Sequence, residues 1–192
     1  MAKLYFYYAS MNAGKSTTLL QADFNYRERG METMLWTAAI DDRYDAGAIS
    51  SRIGLQTDAH GFTPDTDLLG AVIAENEQRN LACVLIDEAQ FLSPTQAFQA
   101  ARIADEIGIP VLCYGLRTDF RAQLFPGSGA LLGIADALIE LKAVCECGRA
   151  ARMNLRIDQN GKAVGEGAQT EIGGNDRYVA MCRKHFMQAL AG

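Results

Sequence analysis

The amino-acid sequence predicts an α/β fold in which helices cover both faces of a central, mostly parallel sheet. Two observations support this prediction. Apolar runs alternate with stretches of helical spacing along residues 1–142, an order that is typical of parallel sheets. The runs are also continuously apolar, as strands buried on both faces must be, and do not alternate between apolar and polar residues.

Five apolar runs predict the strands of this sheet: residues 3–8, 33–38, 83–86, 111–115 and 136–141. Four stretches between them predict helices: residues 16–29, 67–79, 94–107 and 130–134. Gly30 suits the end of the first helix, because glycine readily adopts the left-handed conformation found there. Ser93 and Pro94 suit the start of the third, since proline is favoured at the first helical position. Residues 39–47 predict a loop over a site, and residues 51–62 are ambiguous, with room for a short strand.

Beyond Lys142 the character of the sequence changes, which predicts two domains at residues 1–142 and 143–192. The second stretch is polar and rich in glycine, and it holds cysteines near both of its ends. It includes a β-like piece at residues 153–157 and a turn at Asn160-Gly161. We therefore expect a small second lobe that carries a long loop.

Composition narrows the classes of function. The chain has 192 residues, is 49% hydrophobic and carries a formal net charge of −5, with a pI near 5.0. It is long enough for a sizeable core, and its acidity argues against nucleic-acid or anionic-membrane partners. No apolar run approaches the roughly 20 residues of a membrane span, and the N-terminus lacks a signal-peptide pattern. We expect a cytoplasmic protein.

A near match to the phosphate-binding loop G-x-x-x-x-G-K-[ST] follows the first strand. It consists of Ala9-Ser10-Met11-Asn12-Ala13-Gly14-Lys15-Ser16. Backbone N–H groups at a helix N-terminus attract phosphate, and Gly14 lets the backbone approach it. Lys15 would neutralise the β- and γ-phosphates, and Ser16 could ligate Mg²⁺. Ala9 replaces the first glycine, which is tolerable where φ stays negative. The strand before the motif and the helix after it favour a nucleotide site over a chance surface turn.

Two carboxylates, Asp87 and Glu88, end the third predicted strand. Ligands of an open α/β sheet bind outside the carboxyl ends of its strands, so both residues are expected beside the phosphate loop. Asp87 is the natural partner for Mg²⁺, through water. Glu88 could accept a proton from an attacking hydroxyl or position a water molecule. A solvated acidic turn is the alternative, which the nearby phosphate loop makes less favourable.

Five cysteines in a cytoplasmic protein point to metal binding or core packing before disulfides. Three thiolates and one imidazole offer a closed tetrahedral donor set for structural Zn²⁺: Cys145, Cys147, Cys182 and His185. The C-x-C spacing is tighter than usual, and unrelated core thiols are the alternative. Cys83 and Cys113 lie inside apolar strands and are predicted core residues.

Other candidates depend on position alone. Three arginines near the expected strand ends could clamp phosphates, with ordinary surface positions as the alternative: Arg43, Arg117 and Arg121. Met11, Phe91 and Tyr178 could form walls for a planar ligand. Core packing is the alternative for these three residues.

Four segments together resemble the cytosolic, zinc-containing (type II) thymidine kinases. They are Y-Y-A-S-M-N-A-G-K-S, V-L-I-D-E-A-Q-F, Y-G-L-R-T-D-F and G-G-N-D-R-Y-V-A-M-C-R-K-H-F. The likeness covers essentially the whole chain in order, and its last segment is the most specific, because generic phosphate-loop proteins do not predict it. Two departures from the commoner pattern, Ala9 and the C-x-C spacing, remove no group that the chemistry needs.

The resemblance implies an enzyme that uses ATP and Mg²⁺ to phosphorylate the 5′-hydroxyl of thymidine, giving thymidine monophosphate for nucleotide salvage and DNA synthesis. It also implies a core related to RecA-like ATPases and a zinc-ribbon-like lobe with a lasso loop over the base. The family is usually homotetrameric and inhibited by thymidine triphosphate.

The resemblance also implies roles for individual residues. Glu88 would be the general base and Asp87 the magnesium-associated carboxylate, while Arg43, Ala89 and Gln90 would join the phosphate-binding set. Side chains that would line the base pocket are Met11, Phe91, Leu116, Phe120 and Tyr178. Main-chain contacts to the base would come from Ile172, Gly173 and Gly174. Cys145, Cys147, Cys182 and His185 would hold zinc.

Three other functions stay open. A kinase with another or broader deoxynucleoside preference is possible, because base choice depends on the shape of the closed loop. An ATP-driven switch or motor would hydrolyse ATP without nucleoside and would not need the loop at residues 165–178. A zinc-stapled binding module with an inactive nucleotide site is disfavoured by the presence of Lys15, Ser16, Asp87 and Glu88.

Overall fold

A computed structural model describes residues 1–39, 47–169 and 177–191. Its strands are β1 (Leu4–Ala9), β2 (Glu32–Ala38), β3 (Ala48–Ser50), β4 (Gln56–Asp58), β5 (His60–Phe62), β6 (Leu81–Ile86), β7 (Val111–Leu116), β8 (Ala137–Glu140), β9 (Ala143–Val144), β10 (Ala150–Ala151), β11 (Met153–Arg156) and β12 (Tyr178–Met181). Its helices are α1 (Lys15–Glu28), α2 (Leu68–Arg79), α3 (Pro94–Arg102), α4 (Pro126–Ile134) and α5 (Arg183–Ala191). A 3-10 turn at Ala89–Phe91 and a π-helical turn at Ile103–Ile107 complete the assignment.

The central sheet has six strands in the order β5-β2-β6-β7-β1-β8. Every pair of neighbours in it is parallel. The predicted α/β class with a parallel sheet is confirmed. The ambiguous stretch at residues 51–62 forms β4, which pairs with β3, and β5, which adds an edge strand to the sheet.

Alternate side chains of the strands pack into two separate cores, one on each face of the sheet. On one face, Leu35 and Leu85 are buried with Leu19 of α1. On the other face, the buried side chains, including Val84 and Ile86, pack with residues of α2, α3 and α4. The continuous apolar runs are explained by this double coverage.

The helix starts combine local signals with tertiary packing. Ser93 caps α3 in a capping box with Gln96, as the Ser93-Pro94 pair predicted. The predicted start of the fourth helix at residue 130 is wrong, because α4 begins at Pro126. A methyl group at Gly127 would lie 2.6 to 2.9 Å from three backbone carbonyl oxygens at residues 89–92. Close packing therefore requires glycine at position 127, although glycine is a weak helix former. The sequence pattern does not reveal this requirement.

After β8 the chain forms smaller units. Strands β9 and β10 pair as one antiparallel ribbon, and β11 pairs with β12 as another. Helix α5 packs on the second ribbon, where Phe186 is buried with Met153 and Leu155. Within the described ranges, no helix has the length and apolar character needed to cross a membrane.

Candidate functional site

The loop between β1 and α1 has the backbone that its sequence predicts. Ala9 ends β1 in an extended conformation opposite Leu116, so its methyl group is accommodated. Gly14 precedes α1 with φ 78°, in the left-handed region that favours glycine. A Cβ at Gly14 would have no atom within 4 Å, so the backbone conformation, not space, requires glycine here. Asn12 also has a positive φ, at 63°.

The carboxyl ends of β1 and β6 meet beside this loop. Ser16 Oγ donates a hydrogen bond of 2.7 Å to Asp87 Oδ2, across 71 residues of sequence. Lys15 Nζ donates to the backbone carbonyl of Ser10 at 3.0 Å. The structure thus brings together the lysine, the hydroxyl and the carboxylate that the motifs indicate for a nucleotide site.

Asp87 is buried in this centre, and Lys15 and Glu88 beside it are partly buried. Burial, followed by the neighbouring Glu88 carboxylate, raises the pKa of Asp87 to about 7. Burial also lowers the pKa of Lys15, against the opposing effect of Glu88 and Asp87. Mg²⁺ is held in proteins by one or two carboxylates together with substrate phosphates. The hard oxygen donors of Ser16 and Asp87 therefore fit a magnesium–nucleotide complex.

Glu88 is held in an unusual conformation by Gln90. Glu88 has φ 52° and begins the 3-10 turn, a left-handed conformation that is uncommon outside glycine. Gln90 Nε2 donates to Glu88 Oε2, and Gln90 Oε1 accepts from the backbone N–H of Leu116 at 3.0 Å. A methyl group at Gly115 would lie 2.9 Å from Gln90, so this position must be glycine. The side chain of Gln90 thereby connects Glu88 to the end of β7.

Ala89 and Gln90 are buried behind Glu88, with relative exposures of 0% and 1%. The Gln90 side chain bonds to Glu88 and to the backbone of Leu116. Phosphate contact by Ala89 and Gln90 stays a prediction.

Two of the predicted base-pocket residues, Phe120 and Tyr178, contact Arg156. The Arg156 guanidinium carbon lies 3.7 Å from the ring centroid of buried Phe120 and 5.3 Å from that of Tyr178. Arg156 donates to the Tyr178 hydroxyl at 2.6 and 2.9 Å and to the Ala168 carbonyl at 3.0 Å. Met11 and Tyr178 also line one groove of about 490 Å³. Phe91 packs its ring edge-on against Phe125, while Leu116 ends β7.

Sequence reasoning missed Asn154 and Arg156. Both lie in β11, whose four residues are all buried although two of them are polar. A polar residue in alternation with apolar ones normally predicts the solvent side of a strand. No local signal therefore marks these two residues as interior.

The remaining candidates divide into two groups. Arg117 lies over the ring of Tyr8 at 5.9 Å, and Arg121 pairs with the buried carboxylate of Asp119 at 3.2 Å. The structure thus gives both arginines protein partners. Four predicted site residues lie outside the described residues: Arg43, Ile172, Gly173 and Gly174.

The cysteine–histidine set converges as the spacing predicts. The ligand atoms of Cys145, Cys147, Cys182 and His185 all lie within 4.8 Å of one another. Cys147 Sγ and Cys182 Sγ are 3.8 Å apart, and Cys145 Sγ lies 3.4 Å from His185 Nδ1. A tetrahedral zinc with Zn–S near 2.3 Å places two sulfurs about 3.8 Å apart. The Cys147–Cys182 distance matches this geometry.

Local turns shape the cluster. Gly148, at φ 79°, follows Cys147, and the Cys145 N–H bonds to the Arg149 carbonyl at 2.8 Å. The backbone N–H groups of Cys147 and Cys182 are the first causes that lower the pKa of the Cys145 thiol to about 6. Because metal ligands must be thiolates, this environment favours metal binding. The donor set fits a structural zinc that has four protein ligands and no open position.

Comparison with known proteins shows which family this sequence matches. A sequence model described as thymidine kinase matches residues 2–186. The chain is 70% identical over 190 residues to a protein of Novosphingobium aromaticivorans, covering 99% of each chain. It is 61% identical to one of Zymomonas mobilis, covering 99% of this chain and 98% of the relative, and 58% identical to one of Vibrio parahaemolyticus, covering 99% of each. All three relatives are named thymidine kinase.

Proposed function

The chain belongs to the thymidine kinase family, and from this premise we propose that it transfers the γ-phosphoryl group of ATP to the 5′-hydroxyl of thymidine. The product would be thymidine monophosphate. The Ser16–Asp87 hydrogen bond carries this proposal, because it joins the phosphate loop to the carboxyl end of β6. The acidic pair at that strand end thereby lies beside the phosphates of a nucleotide bound at the loop.

Phosphoryl transfer depends mainly on positioning and on neutralising charge. Lys15, at the start of α1, would bind the β- and γ-phosphates together with the N–H groups that follow Gly14. Ser16 and Asp87 would hold Mg²⁺, which when bound neutralises charge on the β- and γ-phosphate oxygens. Arg43 would add a phosphate contact, as the family resemblance implies.

Glu88 would accept the proton of the 5′-hydroxyl. Its left-handed backbone and the hydrogen bond from Gln90 hold the carboxylate in one orientation, which is what a general base requires. Thymine would lie near Met11, Phe120 and Tyr178. The stack of Arg156 on Phe120 would order one wall of that pocket.

The chain is proposed to divide into a nucleotide-binding core at 1–142 and a zinc-binding lobe at 143–192. The six-stranded sheet ends with β8 at Glu140, and the later strands among the described residues pair with one another. Cys145, Cys147, Cys182 and His185 would hold zinc, which when bound cross-links the lobe. The family resemblance further supports a homotetramer that thymidine triphosphate inhibits. The chain is proposed to be cytoplasmic, and its acidic composition argues against binding to nucleic acid or to an anionic membrane.

The deciding experiment measures transfer of labelled γ-phosphate from ATP·Mg²⁺ to thymidine, deoxyuridine, deoxycytidine or deoxyadenosine, with a reaction lacking nucleoside. We expect label on thymidine and little phosphate release in the reaction without nucleoside. Equal label on several nucleosides would indicate a broader deoxynucleoside kinase. Release of phosphate to water regardless of nucleoside would contradict the kinase proposal and indicate an ATP-driven switch or motor.

A further inference from the structure

The C-terminal segment reaches back to the phosphate loop through two hydrogen bonds. The backbone N–H of Met11 donates to Asn154 Oδ1 at 2.7 Å, across 143 residues of sequence. Ser10 Oγ donates to the Ala151 carbonyl at 3.0 Å. Asn154 and Ser10 are buried, at 3% and 2% exposure. The first half of the loop is thus bonded to β10 and β11, in addition to its own neighbours.

Asn154 contacts a third segment as well. Its Nδ2 donates to the Thr118 carbonyl at 3.2 Å, in the loop that follows β7 and leads to Phe120. One side-chain amide therefore connects the phosphate loop, β11 and the loop after β7. Truncating it would leave the Met11 N–H and the Thr118 carbonyl without these partners, which is costly inside a protein.

The backbone after Met11 needs such support. Asn12 and Gly14 both have positive φ, 63° and 78°, and a left-handed conformation at a residue other than glycine is sparsely populated. Such conformations persist where the surrounding structure fixes them. The hydrogen bond to Asn154 also commits the Met11 N–H to protein, so phosphate binding is left to groups nearer α1.

We propose that Asn154 is a positioning residue for nucleotide binding, through which the C-terminal segment fixes the conformation of the phosphate loop. The inference rests on the proposed function in one respect, that the loop binds ATP. It predicts that Asn154 controls nucleotide affinity without contacting the nucleotide.

The test compares N154A with R152A, which serves as the matched control. Arg152 is exposed and bonds in bidentate fashion to Glu140 of β8 at 2.7 and 3.0 Å. It therefore also links the C-terminal segment to the sheet, but its side chain bonds to Glu140 and not to the loop. Titration calorimetry would give the Kd of ADP·Mg²⁺ and of thymidine for each protein. Hydrogen exchange would follow the peptide that contains Met11 alongside a peptide from β1.

In N154A we expect ADP to bind about 5- to 10-fold more weakly, the usual effect of losing one well-placed hydrogen bond. Both affinities of R152A should stay within about twofold of wild type. The Met11 peptide should exchange faster while the β1 peptide is unchanged. If N154A does not fold, N154S gives the same comparison, because serine is too short to reach both Met11 and Thr118.

The proposal would be overturned if N154A bound ADP as tightly as wild type, or if R152A lost as much ADP affinity as N154A. It would also be overturned if N154A lost affinity for thymidine alone. Wild-type protein that binds ADP but does not phosphorylate thymidine would contradict the proposed substrate while leaving this comparison decisive. Wild-type protein that does not bind ADP·Mg²⁺ would contradict both.

Discussion

The phosphate-loop centre and the cysteine–histidine cluster are built in opposite ways. The first joins Ser16 to Asp87 over 71 residues and keeps three residues, Asn12, Gly14 and Glu88, in left-handed conformations. The second joins two short stretches, with Cys147 and Cys182 35 residues apart, and gathers four donor atoms within 4.8 Å of one another. The first arrangement suits the proposed substrate site, whereas four protein donors would leave a bound zinc no position for a substrate.

The pKa shifts at the two centres also differ. At the phosphate loop, burial works against the charged forms of both Asp87 and Lys15, so the charges are only partly compensated within the protein. A nucleotide with its metal would complete them. At the cysteine cluster, backbone N–H groups stabilise the thiolate of Cys145 before any metal is bound. Within the second centre, against the lowering effect of the Arg149 backbone N–H, desolvation and the neighbouring thiols raise the pKa of Cys147, so Cys145 is ionised for a metal more readily than Cys147.

The largest expected effect comes from removing one ligand of the cysteine–histidine cluster. In C182S we expect zinc content to fall from one ion per chain to none, because structural zinc needs its four ligands and contributes about 10–16 kcal/mol in zinc-finger peptides. Hydrogen exchange should accelerate in residues 143–191 while the central sheet stays protected. C113A, which truncates a buried thiol of β7, should keep its zinc. Full metal content in C182S would contradict the assignment.

The next effect concerns chemistry at the open centre. E88Q should lower turnover by about 10²- to 10⁴-fold, the usual contribution of a general base, with ADP and thymidine affinities kept within a few-fold. Steady-state rates and titration calorimetry would separate the two quantities. E106Q, at an exposed glutamate paired with Arg102, is the control. Near-normal turnover in a folded E88Q protein would remove Glu88 from the mechanism.

Two glycine-to-alanine substitutions test the backbone conformation of the phosphate loop. Neither Gly14 nor Gly133 has an atom within 4 Å of an added Cβ, but only Gly14 has a positive φ. G14A should lower the free energy of unfolding by about 1–2 kcal/mol and weaken ADP binding. G133A, within α4, should raise that free energy by about 0.5–1 kcal/mol. Urea denaturation measures both, and equal effects would show that backbone conformation is not the cause.

The smallest effect concerns Arg156, which contacts two residues of the proposed base pocket. R156K keeps the charge but loses the planar group that stacks on Phe120, so we expect the KM for thymidine to rise about 3- to 10-fold. The KM for ATP should not change. R152K, at an exposed arginine, should match wild type in both. A rise in the KM for ATP alone would place Arg156 outside the base pocket.

Sequence patterns predicted most of the scaffold because they depend on local physics. Continuous apolar runs required a doubly covered parallel sheet, and Ser93-Pro94 marked the start of α3. The pattern was less informative where packing overrides propensity. The helix predicted over 94–107 continues beyond Arg102 as a π-helical turn. On the same helix the relative exposure of the large apolar residue Phe98 is 55%, while the smaller Ala97 and Ala100 are buried.

By itself, the sequence determined the α/β class, the phosphate loop, the acidic end of β6 and the four metal-ligating candidates. Each of these depends on residue type and on neighbours close in the chain. Only the tertiary structure decided that Asn154 bonds to Met11, that Arg156 stacks on Phe120 and that Gln90 holds Glu88 against β7. Such contacts depend on which surfaces pack together in the folded chain. When the partner of a polar residue lies far along the chain, the neighbouring sequence contains no pattern that predicts the contact.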